Sequence, residues 1–235
     1  MIIFCFLTYN DIIPIKYWNN FFNNIDTNKY KVFIHSKYDI NFSIYNFPVN
    51  IIKNNVKTLN KCDITIVRAT LQLLKESINN KEAKHFIFCS QNCIPLYNFQ
   101  FYENFLKNIN KSILSCIIDS SKQRYNHLSK DFQKFLTYDQ FIKQQPNMIL
   151  HRNDVELLIK NDLTNHFKNM QCPDEHYFIN ILLYILKRDI IKSQTHFCNF
   201  DLQKTQAIEF RNIDLNSNLI SDIKNKGFLF MRKVY

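Results

Sequence analysis

The chain has 235 residues, of which 46% are hydrophobic, 15% aromatic and 21% charged. That balance excludes a disordered tail or a low-complexity filament, and the length supports a sizeable core without metal or disulfide staples. Thirty basic against 20 acidic side chains give a formal charge of +10, which points to an anionic partner: nucleic acid, membrane phosphate or a phosphorylated small molecule. Asn, Ile and Lys are abundant throughout, as in proteins from AT-rich genomes, so part of that surplus is compositional. The single glycine, Gly227, rules out the Gly-rich phosphate cradles, which need several glycines close together.

In chain order, apolar runs of strand length fall at Met1–Leu7, Lys31–Ser36, His85–Cys89, Ile113–Ile118 and Ile190–Phe197. The first is too short for a signal peptide or a membrane span and reads as a buried strand. Between the strands lie helical patterns. Val67, Leu71, Leu74 and Ile78 share one helix face. Asn153 with Glu156 has the form of a capping box. Asp174 to Leu186 is too apolar for a surface helix. Alternating strands and helices predict an α/β fold with at least part of the sheet parallel, in one domain over 1–235.

The seven cysteines are an odd number set mostly in apolar runs, without a CxxC pair. Cys89 and Cys93 have no second ligand pair beside them in sequence, so no metal is expected. Buried free thiols are the expectation, and with them a soluble protein of the cytoplasm or another reducing compartment.

Three clusters could carry chemistry. In Cys172–Phe178, CPDEHYF, Pro173 suits a first helical position. Asp174, Glu175 and His176 would follow in the first turn, where the helix dipole favours ionised carboxylates. A carboxylate held there can take a proton from an attacking hydroxyl, although such a triplet is also an ordinary helix start. The C-terminal KGFLFMRKVY carries Arg232 and Lys233, a pair equally at home on a solvated surface. Ser90–Phe99, SQNCIPLYNF, follows a buried strand, where ligands bind in open α/β sheets. There is no serine elbow, no HExxH, no EF-hand loop and no Asp-x-Asp.

Together these motifs resemble a family. FIFCSQNCIPLYNFQFYENFL is similar to the central signature of the core-2/I-branching glycosyltransferases (glycosyltransferase family 14), with wording like that of their plant-type members. CPDEHYF matches the family's Pro-Asp-Glu-His element about eighty residues later. DITIVRATLQLLKESI resembles the helix before the central strand. YDQFIKQQPNMILHRNDVELLI fits the segment around Lys-Gly-Ser-Gln-Trp, and LISDIKNKGFLFMRKV the closing Leu-Phe-Ala-Arg-Lys-Phe. FCFLTYN and KVFIHSKYD sit where the family places its first two strands.

The resemblance implies a GT-A-type fold, with a mostly parallel central sheet flanked by helices. It implies an inverting, metal-independent glycosyltransferase acting on a UDP-sugar, UDP-GlcNAc first, with UDP-xylose or another sugar as the other candidates. Glu175 maps onto the catalytic base. Lys233 maps onto the lysine that neutralises the diphosphate. The partner arginine maps onto Arg211, with Arg232 as rival, and Tyr9, Asn10 and His35 complete the nucleotide-sugar side. Ser90, Gln91, Cys93, Lys143 and Asp174 fall on the acceptor side, facing a glycan or glycoconjugate. No cofactor, nucleic acid or transmembrane segment is implied. The chain departs from the family where Lys143-Gln144-Gln145-Pro146-Asn147 replaces Lys-Gly-Ser-Gln-Trp. It also has Cys93 where the animal enzymes carry Asp, Lys37 where some members carry Asp, and Lys61-Cys62 in place of Trp-Gly. These changes predict an altered acceptor and base-recognition surface. The resemblance then implies a minimal catalytic domain, without the membrane anchor and stem of cellular members. The alternatives are a sugar- or nucleotide-binding pseudoenzyme and a basic nucleic-acid-binding protein; for the latter, the lysines are dispersed instead of clustered.

Overall fold

The computed structural model describes residues 1–52, 56–59, 62–117, 120–201, 206–211 and 215–235. Its central sheet has seven strands: β1 (Ile2–Thr8), β2 (Tyr30–Ser36), β3 (Val49–Ile51), β4 (His85–Ser90), β6 (Ile113–Leu114), β7 (Ile149–His151) and β8 (Ile191–Lys192). The order is β3-β2-β1-β4-β7-β6-β8. β3, β2, β1 and β4 run parallel. β7 is antiparallel to both β4 and β6, while β8 is parallel to β6. A smaller sheet joins β5 (Ile94–Pro95), β12 (Phe230–Arg232) and β9 (His196–Cys198). β10 (Phe200–Asp201) and β11 (Gln206–Ala207) form an antiparallel pair.

Alternation along β1 explains the layers. Ile2, Phe4 and Phe6 pack with Trp18, Phe21 and Phe22 of α1 (Ile15–Phe22) and with Phe99 and Tyr102 of α3 (Phe99–Leu106). Ile3 and Cys5 face the other way, onto Val67, Leu71 and Leu74 of α2 (Ile64–Ser77) and Val155 and Leu158 of α4 (Arg152–Lys160). A strand buried on both faces reads as a continuous apolar run, which is what β1 is. Asp63 caps α2 by accepting from Thr65 N at 2.8 Å. A third cluster packs α6 (Ser217–Asn225) on β5 and β12 through Ile94, Ile223, Met231 and Val234.

Several expectations change. Ile113–Ile118 shortens to β6, and Ile118 lies outside the described residues, as does Lys61. Ile190–Phe197 divides into β8 and β9. The cap of α4 is His151, whose Nδ1 accepts from Asn153 N, while Glu156 pairs instead with Arg152 at 3.2 Å. The apolar stretch after Pro173 is a 3-10 turn (Pro173–Glu175), the short α5 (Tyr177–Asn180) and a π-helical segment over Ile181–Ile185.

The free-thiol expectation fails at two positions. Cys62 and Cys172, 110 positions apart, form a disulfide. No local spacing announces it, because the start of α2 and the residue before Pro173 meet only in the folded chain. Cys5, Cys89, Cys93, Cys116 and Cys198 are free thiols. Among the described residues, no helix is long and apolar enough to cross a membrane.

Candidate active site

The chain runs from β1 outward to β2 and β3, then returns to β4 on the other side of β1. That reversal makes the carboxyl ends of β1 and β4 the place where an open α/β sheet splays to admit a ligand. A cleft of about 360 Å³ lies there. Its walls are Leu7, Thr8 and Tyr9 after β1, Lys37 after β2, Ser90, Gln91 and Asn92 after β4, Thr58, Leu59, Cys62 and Ile66 around the start of α2, Asp174 from the 3-10 turn, and Arg232, Lys233 and Tyr235 from the end of the chain.

The loops are braced from within. Gln91 Oε1 accepts from Tyr9 N at 2.6 Å and the Gln91 carbonyl from Ile13 N at 2.7 Å. Ser36 Oγ reaches the carbonyls of Tyr9 and Tyr38, at 3.1 and 2.6 Å. Asn92 O accepts from Val234 N at 2.9 Å, which fixes the C-terminal segment against the β4 loop. Three cations line the cleft: Lys37, Arg232 and Lys233. Arg232 Nη1 donates to Asn147 Oδ1 at 2.7 Å. Arg232 Nε, Asn92 Nδ2 and Asp174 Oδ1 are buried atoms of cleft residues with no hydrogen-bond partner among the described residues. Unsatisfied buried polar atoms are rare in folded proteins, and their concentration around one cleft is a signature of a site built for a polar ligand.

The two adjacent carboxylates differ sharply. Burial, and then the charge of Glu175, pushes Asp174 up to about 6, so burial overrides the dipole stabilisation expected from a helix start. Glu175 stands beside the cleft, with its carboxylate 2.6 Å from Arg124 Nη1 and 3.5 Å from Lys143 Nζ. His176 donates from Nδ1 to Ile142 O at 3.0 Å and stacks on Phe141. Burial brings it down to about 4; it is neutral at pH 7, with Nε2 turned to Arg124 Nη1 at 3.4 Å.

Of the residues singled out from sequence, Tyr9, Ser90, Gln91, Asp174, Arg232 and Lys233 share the cleft wall, and Glu175 and Lys143 form the ion-paired cluster beside it. The others stand elsewhere. Asn10 lines a separate concavity with Asp11 and Ile12. His35 is 1% exposed and accepts at Nε2 from Val56 N, beneath the cleft instead of in its wall. Cys93 is fully buried, so its thiol cannot face an acceptor. Arg211 is exposed and outside the cleft lining, next to Phe210, which bridges Val234. Sequence reasoning missed Arg124, which sits in a polar stretch with no motif. It also took Gln144 and Asn147 for changes in a recognition surface. Both are buried: Gln144 N donates to Glu175 O at 2.7 Å, Gln144 Oε1 accepts from Ile179 N at 2.8 Å, and Asn147 holds Arg232. The signal was available in their place within an otherwise matching motif.

Comparison with known proteins agrees with this architecture. The rice (Oryza sativa subsp. japonica) glycosyltransferase BC10 is 24% identical over 131 residues, which are 52% of this chain and 32% of the rice protein; the matched part is about a third of that relative's length. An active-site mutant of LgtC aligns over 97% of this chain and 86% of its own, at 12% identity and a TM-score of 0.50. A complex of the galactosyltransferase LgtC with donor and acceptor sugar analogues covers the same shares at 10% identity and a TM-score of 0.49. The likeness to the LgtC mutant is one of fold, the GT-A type. The family described as Core-2/I-Branching enzyme matches residues 2–224. With the strand order, the cleft at the reversal point and this match across nearly the whole chain, the protein belongs to the Core-2/I-Branching enzyme family and has a GT-A-like fold.

Proposed function

We propose that the protein transfers a sugar from a UDP-sugar, UDP-GlcNAc first, to a hydroxyl of a glycan acceptor, with inversion and without a metal ion on the diphosphate. The observation that carries this reading is the cleft itself, with Arg232 and Lys233 on one wall and Asp174, followed by Glu175, on another. The acceptor oxygen attacks the anomeric carbon as the bond from that carbon to the diphosphate oxygen breaks. UDP leaves with the bonding electrons, and Glu175 takes the hydroxyl proton. Negative charge grows on the leaving diphosphate, and fixed cations stabilise it where a metal would otherwise be needed. Arg232 brings a planar fork, braced by Asn147, and Lys233 a compact charge. No Asp-x-Asp is present to hold a divalent ion there.

Arg124 and Lys143 ion-pair with Glu175 and hold its carboxylate in position. The same ion pairs favour a second reading, a nucleotide-sugar-binding protein whose base is permanently occupied. One experiment tests the first and separates the two. Purified protein is screened by thermal shift against UDP, UDP-GlcNAc, UDP-xylose and UDP-glucose, and the best donor is incubated with candidate glycans while the product anomer is read by NMR. A ligand at about 100 times its Kd stabilises the native state by about 2.7 kcal/mol. Stabilisation with a β-linked product from an α-linked donor is the expected result. Retention of configuration refutes the inverting mechanism, stabilisation without transfer supports the second reading, and no stabilisation by any UDP compound refutes both.

A further inference from the structure

Beneath the cleft the fold assembles a cluster that no catalytic step uses. Cys89 at the end of β4, Cys93 in the loop after it and His196 at the start of β9 bring two sulfurs and a ring nitrogen within 4.8 Å of one another. His196 stands 107 positions beyond Cys89, which is why the Cys89/Cys93 spacing alone gave no sign of a ligand set. Cys89 Sγ lies 3.7 Å from His196 Nε2. Ligands of a tetrahedral ion, with bonds of about 2.3 Å to sulfur and about 2.0–2.1 Å to nitrogen, are separated by about 3.5–3.8 Å, so this pair is already at ligand spacing.

We propose that Cys89, Cys93 and His196 form a buried structural site for a thiophilic d10 cation, zinc in the first place, set behind the donor cleft. The surroundings have the form of a second ligand layer. Thr195 Oγ1 lies 2.9 Å from His196 Nδ1, so a proton held on Nδ1 leaves the Nε2 lone pair facing the sulfurs. The ring is further fixed by stacking on Phe230, with centroids 4.5 Å apart. Cys93 Sγ has Ser90 Oγ at 3.2 Å and Asn147 Nδ2 at 3.7 Å, both able to donate to a thiolate. Two thiolates and an imidazole suit Zn²⁺ or Cu⁺ and disfavour Mg²⁺, Ca²⁺ and Mn²⁺, which take oxygen ligands. Two thiolates also neutralise a dication, leaving the Arg232 charge available to the cleft.

The site would tie together β4, its loop and β9. β9 pairs with β12 through Cys198 and Arg232, and Asn147 bridges Cys93 to Arg232. The ion is therefore a rivet for the strand that carries Arg232, separate from the diphosphate, which it does not touch.

The test uses the full chain, produced with zinc in the medium and purified without chelator, with metals counted by mass spectrometry. One zinc per chain is expected; copper at the same stoichiometry keeps the site and changes its ion. Replacement by Co²⁺ should give the charge-transfer and tetrahedral ligand-field bands of an ion held by two thiolates and one imidazole. Cys93→Ser and His196→Ala should lose the metal, whereas Cys116→Ser, outside the cluster, should keep it. Because those ligand variants could fail to fold, Thr195→Val is the milder probe. It removes only the partner of Nδ1 and should weaken zinc by about 10–100-fold. Wild-type protein without bound zinc or copper after metal loading, or a Cys93→Ser variant with full metal content, overturns the proposal. So does unchanged zinc affinity in Thr195→Val.

Discussion

Replacing Glu175 by glutamine separates proton transfer from everything else the site does. The side chain keeps its shape and can still accept from Arg124, which now stands 2.6 Å from the carboxylate. What it loses is basicity. A positioned general base contributes about 10²–10⁴ in rate, so kcat should fall by that factor, equivalent to about 3–5 kcal/mol of barrier. The structural cost is much smaller. Glu175 and Arg124 are 24% and 22% exposed, so weakening their pair costs about 1 kcal/mol, a fall in Tm of about 2–4 °C for a chain of this size. The assay is initial-rate transfer with the best UDP-sugar, run beside UDP titration by calorimetry on the same preparation. Glu175→Gln should bind UDP as the wild type does while turnover collapses. A kcat within about threefold of wild type, well inside the loss of a general base, refutes the assignment of the base. A parallel loss of UDP binding would move Glu175 to the nucleotide side.

Other outcomes follow from the same geometry. Lys233→Ala should weaken UDP about tenfold, the lower end for a partly exposed charged contact, and leave uridine nearly unchanged; equal losses in both titrations would remove Lys233 from the diphosphate. Transfer rates should be the same with and without added Mn²⁺ or Mg²⁺, and an absolute requirement for either would sink the metal-free mechanism. In thermal melts against pH, stability should fall as pH drops from 6.5 through about 4, because burial first of all holds both His85 and His176 down at about 4. Each is neutral when folded and charged when unfolded across that window, and contributes up to about 3 kcal/mol that is lost on acidification. Asp174, raised to about 6 by burial and then by Glu175, works in the opposite sense, with stability present in acid and lost as pH rises through about 6. Asp174→Asn should therefore steepen the acid decline; a flatter profile in that variant contradicts the buried-carboxyl assignment.

The parts of this molecule legible in its sequence are those set by local pattern. β1, β2 and β4 are continuous apolar runs because both sheet faces are covered, and the face of α2 shows in the spacing of Val67, Leu71 and Leu74. The resemblance put Asp174 on the acceptor side and Arg232 on the nucleotide side, and both line the one cleft. What stayed hidden depends on contacts between distant segments. Nothing near Arg124 marks it as the partner of Glu175, 51 positions away. Cys93 reads as a loop residue after a strand, yet Trp18 donates to its carbonyl at 2.8 Å and its side chain points into the core. Gln144 and Asn147 read as losses of a glycine and a tryptophan, but they add hydrogen bonds that fix Glu175 and Arg232. Asp174 lies in the turn after Pro173, but burial, and then the charge of Glu175, raises its carboxyl to about 6, which a three-residue turn's small dipole does not offset.

The bond between Cys62 and Cys172 gives the chain a topology as well as a contact. Residues 62 to 172 become a covalent loop that contains β4, α3, β7 and α4, with two tails leaving it. A protease nick anywhere inside that loop opens the ring without dividing the molecule, so the halves that carry Tyr9 and Lys233 stay joined and migrate as one band until a reductant is added. A nick in either tail releases a fragment at once. The substrate cleft draws on both tails and on the loop, so a molecule cut within the ring retains every wall of its site on a single covalent body.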